Sequence, residues 1–205
     1  MKVTAIVGTY RKQGIIDTVI DEILSSARQE GAEVSKIYLI DKHIEFCTNC
    51  RSCTQEKGVS RGRCILDDDM ISILDEIESS DAIVLGSPMN FGTVTAVMKR
   101  FIERLACLAC WPWGMMSPKQ RIRIKNKKAL IVVSSAAPSL LVRLQTGIIG
   151  LLKKASVLLG AKTTDVLAVG LAARKQHQGI NERTRKKAQT AGRKLVAQIQ
   201  NQRRS

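Results

Sequence analysis

Two patterns of hydrophobic and polar positions alternate along this chain. Short runs of aliphatic, often β-branched residues that end in turn residues predict buried strands, and longer segments with apolar residues at i, i+3, i+4 and i+7 predict helices. The run KVTAIVG (2–8) comes first, and the segment after it places Ile16, Val19, Ile20 and Ile23 on one helical face. The patterns predict strands at 2–8, 34–40, 81–88, 127–136 and 163–170, and helices at 15–31, 67–80, 95–109, 140–160 and 181–202.

The regular alternation of strands and helices indicates the fold class. Strands that alternate with helices are parallel and are joined by right-handed crossovers. We therefore expect an α/β protein with a doubly wound five-stranded parallel sheet in the order 2-1-3-4-5 and three α/β/α layers. No internal repeat or dividing linker is evident, so the expectation is one domain over residues 1–205, with a cysteine-rich loop at 47–64 and a basic C-terminal helix or tail at about 180–205.

The formal net charge of +15 is unevenly placed along the chain. Residues 1–103 contain 12 Lys and Arg against 16 Asp and Glu, whereas residues 104–205 contain 21 against 2. A basic half of this kind is typical of proteins that bind an acidic partner, an anionic membrane surface or nucleic acid. The simpler interpretation is a solvated basic surface.

The sequence contains no segment typical of membrane insertion or export. It has no stretch of eighteen uncharged apolar residues, and the apolar run before Arg11 is too short for a signal-peptide core. Six cysteines without such a signal favour a reducing cytosol, where clustered thiols serve metal or redox chemistry more often than disulfides. We expect a cytoplasmic protein without a transmembrane segment.

Three loops are expected to form a ligand site where the strand order reverses, between strands 1 and 3. They are GTYRKQG (8–14), GSPMNFGT (86–93) and SSAAPS (134–139). The first enters a helix, whose N–H groups and dipole favour a phosphate, and Arg11 adds a charge-assisted contact. In the second, the amide of Asn90 and the ring of Phe91 suit the edge and face of a planar heterocycle. The first loop is neither G-x-G-x-x-G nor a Walker A loop.

These loops resemble those of the flavodoxin-like NADPH-dependent FMN reductase family. The first loop matches that family's pattern at Gly8, Thr9, Arg11 and Gly14, with Ile15-Ile16 where the family usually has Asn-Thr. The second matches the family motif at Ser87, Pro88, Asn90, Gly92, Thr95, Lys99, Phe101, Glu103 and Arg104. The resemblance implies a flavodoxin-like fold, an FMN phosphate on the first loop and the isoalloxazine along the second, with SSAAPS also contacting the ring.

The resemblance also implies residues, substrates and assembly. NAD(P)H is the expected transient electron donor, a homodimer or homotetramer is the expected assembly, and no catalytic side chain is assigned, because the flavin carries the chemistry. The expected cofactor-binding residues are Thr9, Arg11, Gly14, Ile15, Ile16, Pro88, Met89, Asn90, Phe91, Gly92, Ser134 and Ala136.

The stretch CTNCRSCTQEKGVSRGRC (47–64) holds four of the six cysteines with the spacing C-x₂-C-x₂-C-x₁₀-C. Three thiolates two residues apart can bind three corners of a cubane cluster, and a fourth can come from farther along the chain. The arrangement resembles the iron–sulfur flavoprotein branch of the family, which implies a [4Fe–4S] cluster on Cys47, Cys50, Cys53 and Cys64. A zinc ion on four thiolates, or thiols that bind nothing or form a dithiol, are the alternatives.

Further residues invite weaker interpretations. In CLAC (107–110) two cysteines at helical spacing are either a redox pair or, as we favour, small core residues. The segment WPWGMM (111–116) breaks the helix and covers the flavin, forms a dimer contact or touches a membrane surface. His43 and His177 have no partner pattern, and we assign them no role.

Two functions from different classes fit these observations. The first is an FMN-dependent oxidoreductase that exchanges electrons with a reduced nicotinamide or an acidic, ferredoxin-like carrier. The second is a basic α/β module that docks on nucleic acid or an anionic membrane through KQRIRIKNKK (119–128) and the tail. Neither basic segment has the interleaved aromatic residues of single-strand binders, which argues against nucleic acid.

Overall fold

Five parallel strands form one sheet in the computed structural model, which describes residues 1–122, 125–145, 147–176 and 178–204. All four neighbouring pairs are parallel, and the order β2-β1-β3-β4-β5 confirms the predicted order. The strands are β1 (Lys2–Val7), β2 (Glu33–Tyr38), β3 (Ala82–Pro88), β4 (Lys127–Ser134) and β5 (Ala161–Val169).

In the described part of the chain, six α-helices cover the two faces of the sheet. Alternate residues of a strand point to opposite faces, and β1 shows this directly, because Val3, Ala5 and Val7 pack in one apolar cluster and Ile6 in the other. The first cluster is closed by α1 and α6, and the second by α2, α3 and α5. The helices are α1 (Ile15–Gln29), α2 (Met70–Glu78), α3 (Ala96–Arg104), α4 (Ser139–Gln145), α5 (Ile148–Leu158) and α6 (Glu182–Arg204).

The helices predicted at 140–160 and 95–109 differ most from the structure. The single helix predicted at 140–160 was wrong, because the described residues form α4 and α5; Thr146 lies outside them, and Gly147, a poor helix former, directly precedes α5. The helix predicted at 95–109 ends at Arg104. A 3₁₀ turn (Leu105–Leu108) follows, and Ala109–Cys110 then pairs antiparallel with Lys119–Gln120, because the chain here bonds to the cysteine loop instead of continuing the helix.

The helix α6 lies unusually close to α1 at a glycine. A Cβ atom on Gly192 would stand 2.1 Å from Ser26 Oγ and 2.3 Å from the carbonyl oxygen of Ile23, closer than real Cβ contacts. The predicted basic tail is therefore an amphipathic helix whose apolar side packs on α1. None of the helices in the described ranges has the length and apolar character of a membrane span.

We expect Gly192→Ala to lower the free energy of unfolding by about 1–3 kcal/mol, because overpacking must push α6 away from α1. Urea denaturation measures the change. Gly150→Ala on α5 is the matched control, since a Cβ there meets nothing within 4 Å, and we expect it to stabilise by about 0.5–1 kcal/mol. If Gly192→Ala were as stable as Gly150→Ala, the close helix contact would be refuted.

Candidate functional site

The three predicted loops meet at the carboxyl edge of the sheet. The backbone N–H of Gly8 donates to the carbonyl of Gly86 at 2.8 Å, and the hydroxyl of Thr95 donates to the carbonyl of Gly8 at 2.6 Å. The N–H of Met89 donates to the carbonyl of Ser134 at 2.7 Å, which joins the second loop to the third. The reversal of strand order thus brings together segments that are more than 40 residues apart in sequence.

The first loop presents the beginning of α1. Gly14 precedes the helix and supplies no side-chain acceptor to its first turn, so the N–H groups of Ile15 and Ile16 remain suited to an anion. Thr9 shapes the loop from inside, because its hydroxyl accepts the N–H of Arg11 at 3.2 Å. The Arg11 guanidinium donates to the carbonyl of Gln176 at 3.0 Å.

A buried carboxylate, which the sequence analysis did not identify, holds this loop in place. Asp17 accepts the N–H of Gln13 at 2.5 Å, where Gln13 is left-handed (φ 61°), and the hydroxyl of Tyr38 at 2.8 Å. It also pairs with the ammonium of Lys36. Burial alone would raise the pKa of Asp17, but Lys36 and these hydrogen bonds outweigh it and lower the pKa. The charge of Asp17 is therefore neutralised by Lys36 and does not oppose an anion at the helix start.

The second loop turns sharply at its tip. Asn90 and Thr93 exchange backbone hydrogen bonds of 2.9 and 3.1 Å, and Phe91 and Gly92 between them have φ of 48° and 76°. Positive φ at both central residues defines a type I′ turn, which suits Gly92 but is uncommon for a bulky residue such as Phe91. The Phe91 side chain is fully exposed as a result.

A cavity of about 240 Å³ lies between these loops. Of the predicted cofactor residues, Met89, Phe91, Gly92 and Ala136 do not line it in the described part of the chain. The sequence analysis missed Tyr10, Ala172 and Gln178; the last two belong to a segment after β5 that no motif indicates. The lining residues are Thr9, Tyr10, Arg11, Gly14, Ile15, Ile16, Pro88, Asn90, Ser134, Ala172 and Gln178.

The cysteine loop is docked under the WPWGMM segment. The Arg51 guanidinium stacks on both tryptophans, 3.8 Å from the ring centroid of Trp111 and 4.2 Å from that of Trp113. It also donates to the carbonyl of Trp111 at 2.5 Å, and Trp111 N–H donates to the carbonyl of Thr54 at 2.8 Å. The segment thus packs on the cysteine loop, and because Trp113 and Met116 remain exposed, the three roles considered for it stay predictions.

The ten residues between Cys53 and Cys64 fold back on the loop. Gly62 allows the return, because a Cβ there would lie 1.7 Å from the carbonyl oxygen of Cys53, and its N–H donates to the carbonyl of Cys107 at 2.8 Å. Arg121 stabilises the same region by donating to the carbonyls of Cys53 (3.1 Å), Glu56, Val59, Cys107 and Ala109. The ten residues thus form a hydrogen-bonded return to Cys53 at Gly62, two residues before Cys64.

A buried ion pair joins the cysteine loop to α3. Arg104 is almost fully buried and pairs with Asp68, which is also buried; one contact, from Nη2 to Oδ1, measures 3.2 Å. Arg104 also donates to the carbonyl of Glu45 at 2.9 Å and to Cys64 Sγ at 3.5 Å. The acidic run 67–69 was predicted to form the first turn of a helix, but α2 begins at Met70, because Asp68 is taken up by this pair.

The thiols differ in their surroundings. Burial, followed by the neighbouring thiols of Cys64, Cys47 and Cys50, raises the pKa of Cys53. A hydrogen bond from Ser52 lowers the pKa of Cys50. In the described ranges, no three His, Cys, Asp or Glu side chains lie close enough together to hold a metal ion. The donor set itself, four thiols on one loop with Arg104 beside Cys64, fits a thiolate-ligated cluster.

The other two cysteines are not on one helical face. Cys107 lies in the 3₁₀ turn, is buried in the core and has its pKa raised to about 12 by burial, as expected of a core residue. Cys110 lies in the short strand pair and is half-buried. His43 contacts only Glu45 among the ionic partners in the described chain, at 3.0 Å and exposed to solvent, and His177 lies outside the described residues.

Comparison with known sequences gives one family and several relatives. The sequence model of the family described as NADPH-dependent FMN reductase matches residues 1–161. An iron-sulfur flavoprotein of Archaeoglobus fulgidus is 37% identical over 105 residues, which are 51% of this chain and 46% of the relative. One of Methanocaldococcus jannaschii is 36% identical over 104 residues, 51% of each chain. The matches thus span about half the length of these curated relatives.

Solved structures share the fold at low sequence identity. A flavone reductase superposes with a TM-score of 0.68 at 19% identity, over 98% of this chain and 64% of its own. A flavodoxin from the domain Archaea superposes with a TM-score of 0.57 at 11% identity, over 98% of this chain and 99% of its own. These similarities confirm the predicted flavodoxin-like fold.

Proposed function

The chain belongs to the NADPH-dependent FMN reductase family, as its loops predicted, and we propose that it is an FMN-dependent oxidoreductase that transfers electrons from a reduced nicotinamide or a protein carrier. The observation that carries the proposal is the cavity where the strand order reverses, which is lined by the uncapped start of α1, by Arg11 and by Pro88 and Asn90. Residues 1–205 are taken as one domain, because both helix layers close on the same sheet.

The chemical groups that line the cavity are of the types that bind the phosphate and ring of FMN. An anion at the start of α1 meets backbone N–H groups, the Thr9 hydroxyl and Arg11, while Asp17 is neutralised by Lys36. Backbone groups and the amide of Asn90 suit the polar edge of a flavin ring, and the exposed Phe91 offers an apolar face at the rim. FMN, when bound, supplies the redox chemistry, and the protein binds it, orients it and sets its environment. Ile15 and Ile16 act through their backbone, so the missing Asn-Thr side chains leave this role intact.

For the cysteine loop we propose a [4Fe–4S] cluster held by Cys47, Cys50, Cys53 and Cys64. The support is the C-x₂-C-x₂-C run, the return of the chain at Gly62, and Arg104, which lies beside Cys64 and also belongs to the second loop's motif. The relatives named iron-sulfur flavoprotein favour a cluster over zinc or bare thiols. Such a cluster passes single electrons, which suits exchange between a flavin and a one-electron carrier.

The wider predictions are inferred from the family and from charge. All six cysteines are free, which accords with a cytoplasmic location. A homodimer or homotetramer, and an acidic ferredoxin-like carrier, remain predictions. The alternative of a nucleic-acid or membrane module is weakened, because Arg121 and Lys127 of its basic segment bond to backbone carbonyls; Arg123 and Ile124 lie outside the described residues.

The FMN proposal is tested with Arg11→Ala. We expect the variant to bind FMN about 10–100-fold more weakly, because a charge-assisted hydrogen bond to the phosphate is lost, while its affinity for riboflavin changes less than about twofold. Quenching of flavin fluorescence on titration of the apoprotein measures both. Lys12→Ala is the matched control: Lys12 pairs with Asp41 at 2.7 Å and does not line the cavity. If the wild-type apoprotein bound neither flavin, or if Arg11→Ala weakened both equally, the proposed phosphate site would be wrong.

A further inference from the structure

A lysine outside the flavin cavity pairs with the carboxylate that holds the first loop in place. Lys36 belongs to the edge strand β2, opposite Ala5 of β1, and its side chain is only 15% exposed. Its ammonium pairs with Asp17 and, at 2.6 Å, with Asp21. Because Lys36 does not line the cavity, it reaches the site through Asp17.

Asp17 brings a negative charge into the turn where the anion is expected. It is the third residue of α1, and its carboxylate reaches back along the chain to accept the N–H of Gln13 at 2.5 Å. This hydrogen bond closes the turn that contains Ile15 and Ile16, whose N–H groups are proposed to meet the phosphate. Without a counter-charge, the carboxylate would repel an anion held in the same turn.

Lys36 is the cation that offsets this charge by direct contact. Burial alone would lower the pKa of Lys36, but its bonds to Asp17 and Asp21 outweigh burial and raise the pKa, so Lys36 and Asp17 are both charged at neutral pH. Asp21 is 59% exposed and lies one helical turn farther from the helix start, where water screens its charge. The nearby Lys12 is paired with Asp41 at 2.7 Å. The balance of charge at the turn therefore depends on Lys36.

We propose that Lys36 is a specificity-determining residue of the flavin site, which raises the preference for FMN over riboflavin by cancelling the charge of Asp17. The inference rests on the proposed function, because it concerns the phosphate of FMN. Lys36 acts on charge and not by contact, so it leaves the affinity for riboflavin unchanged. The motif of the first loop does not indicate this residue, because Lys36 comes from β2, which lies beside β1 only in the fold.

The test measures Kd for FMN and for riboflavin by fluorescence quenching with the full-length apoprotein at about pH 8, where carboxylates are ionised. Lys36→Met leaves Asp17 without its counter-charge, and we expect Kd for FMN to rise about tenfold. Asp17→Asn removes the charge but keeps an acceptor for the N–H of Gln13, so Kd for FMN should fall about two- to fivefold. The double variant should return to within about threefold of the wild type, and Kd for riboflavin should change less than about twofold in all three.

The matched control is Lys2→Met. Lys2 is also a strand lysine with a partly buried side chain, 21% exposed, and it pairs with the carboxylate of Glu76 at 2.8 Å. It begins β1, so it lies at the amino ends of the strands, away from the cavity at their carboxyl ends. Lys2→Met should change Kd for FMN less than about twofold, because salt screens a charge at that distance.

The direction of the Asp17→Asn effect separates charge from a merely structural role. If Asp17 only held the loop, Asp17→Asn would weaken FMN binding, and that result would overturn the inference; this variant decides the question if Lys36→Met does not fold. Equal affinity for FMN in Lys36→Met and the wild type would overturn it as well, and the proposed function would stand as long as the wild type binds FMN. A wild-type apoprotein that binds neither flavin would refute the proposed function and the inference together.

Discussion

Cys53→Ser is expected to give a protein that is still yellow but has lost its iron. The wild-type chain, purified without oxygen, should contain about four irons and four acid-labile sulfides per chain, and the variant less than about one, because serine is a poor ligand for the cluster. FMN binding should persist, since Cys53 does not line the flavin cavity. Iron and sulfide assays with the visible spectrum of the same sample measure all three quantities.

Two further variants make this result specific. Cys110→Ser changes a half-buried thiol outside the proposed ligand set and should keep the iron. Gly62→Ala keeps every thiol, but its Cβ would collide with the carbonyl of Cys53 at 1.7 Å, so it should lose iron as well. Full iron content in Cys53→Ser, or a wild-type protein that contains zinc or no metal, would refute the cluster.

Arg104→Leu is expected to lower the free energy of unfolding by about 3–5 kcal/mol, because it leaves the Asp68 carboxylate buried without a counter-charge. The glutamate carbonyl at position 45 also loses its donor. Urea denaturation at neutral pH measures the loss. We further expect the free energy of unfolding of the variant to fall less on acidification than that of the wild type.

The expected acid dependence follows from the pKa of Asp68. Burial alone would raise this pKa, but the hydrogen bond from Arg104 outweighs it and lowers the pKa in the folded state. A lowered carboxyl pKa stabilises the fold above the unfolded value of about 3.9, and this stabilisation is lost as pH falls through the folded pKa. In Arg104→Leu that contribution should be absent, so its stability should fall less steeply below about pH 4.

One control for this prediction changes another residue of α3, and a second also changes the ion-pair partner of Arg104. Lys99 and Glu103 form an exposed i,i+4 pair at 2.8 Å, and Lys99→Leu should cost no more than about 0.5 kcal/mol. The double variant Arg104→Leu with Asp68→Leu should recover much of the lost stability, because no buried charge is left unpaired. An Arg104→Leu variant as stable as Lys99→Leu would contradict the assignment.

The strand order and the three loops could be predicted from the sequence because they depend on local patterns. Buried parallel strands are short apolar runs, and a loop that enters a helix has its own motif. The prediction of one long helix at 140–160 was wrong for a related reason: the spacing of apolar residues does not reveal the helix break near Gly147. Gln178 was missed because its place at the cavity depends on the path of a segment without a motif.

The roles of individual arginines could not be predicted, because composition does not say which cations point inward. Arg51, Arg104 and Arg121 each bond to segments that are 36 to 68 residues away, and two of the three belong to the half of the chain that seemed a basic surface. Such contacts are set by the folded path of the backbone, which only the tertiary structure supplies.

The stacking of Arg51 between Trp111 and Trp113 has an optical consequence. These are the only tryptophans in the chain, and both rings lie on the cysteine loop. The tryptophan ultraviolet emission of the protein therefore originates beside the cysteine loop, with no contribution from the rest of the fold. Any rearrangement of that loop, whether by oxidation, metal uptake or partner docking, can be followed in the unlabelled protein in real time.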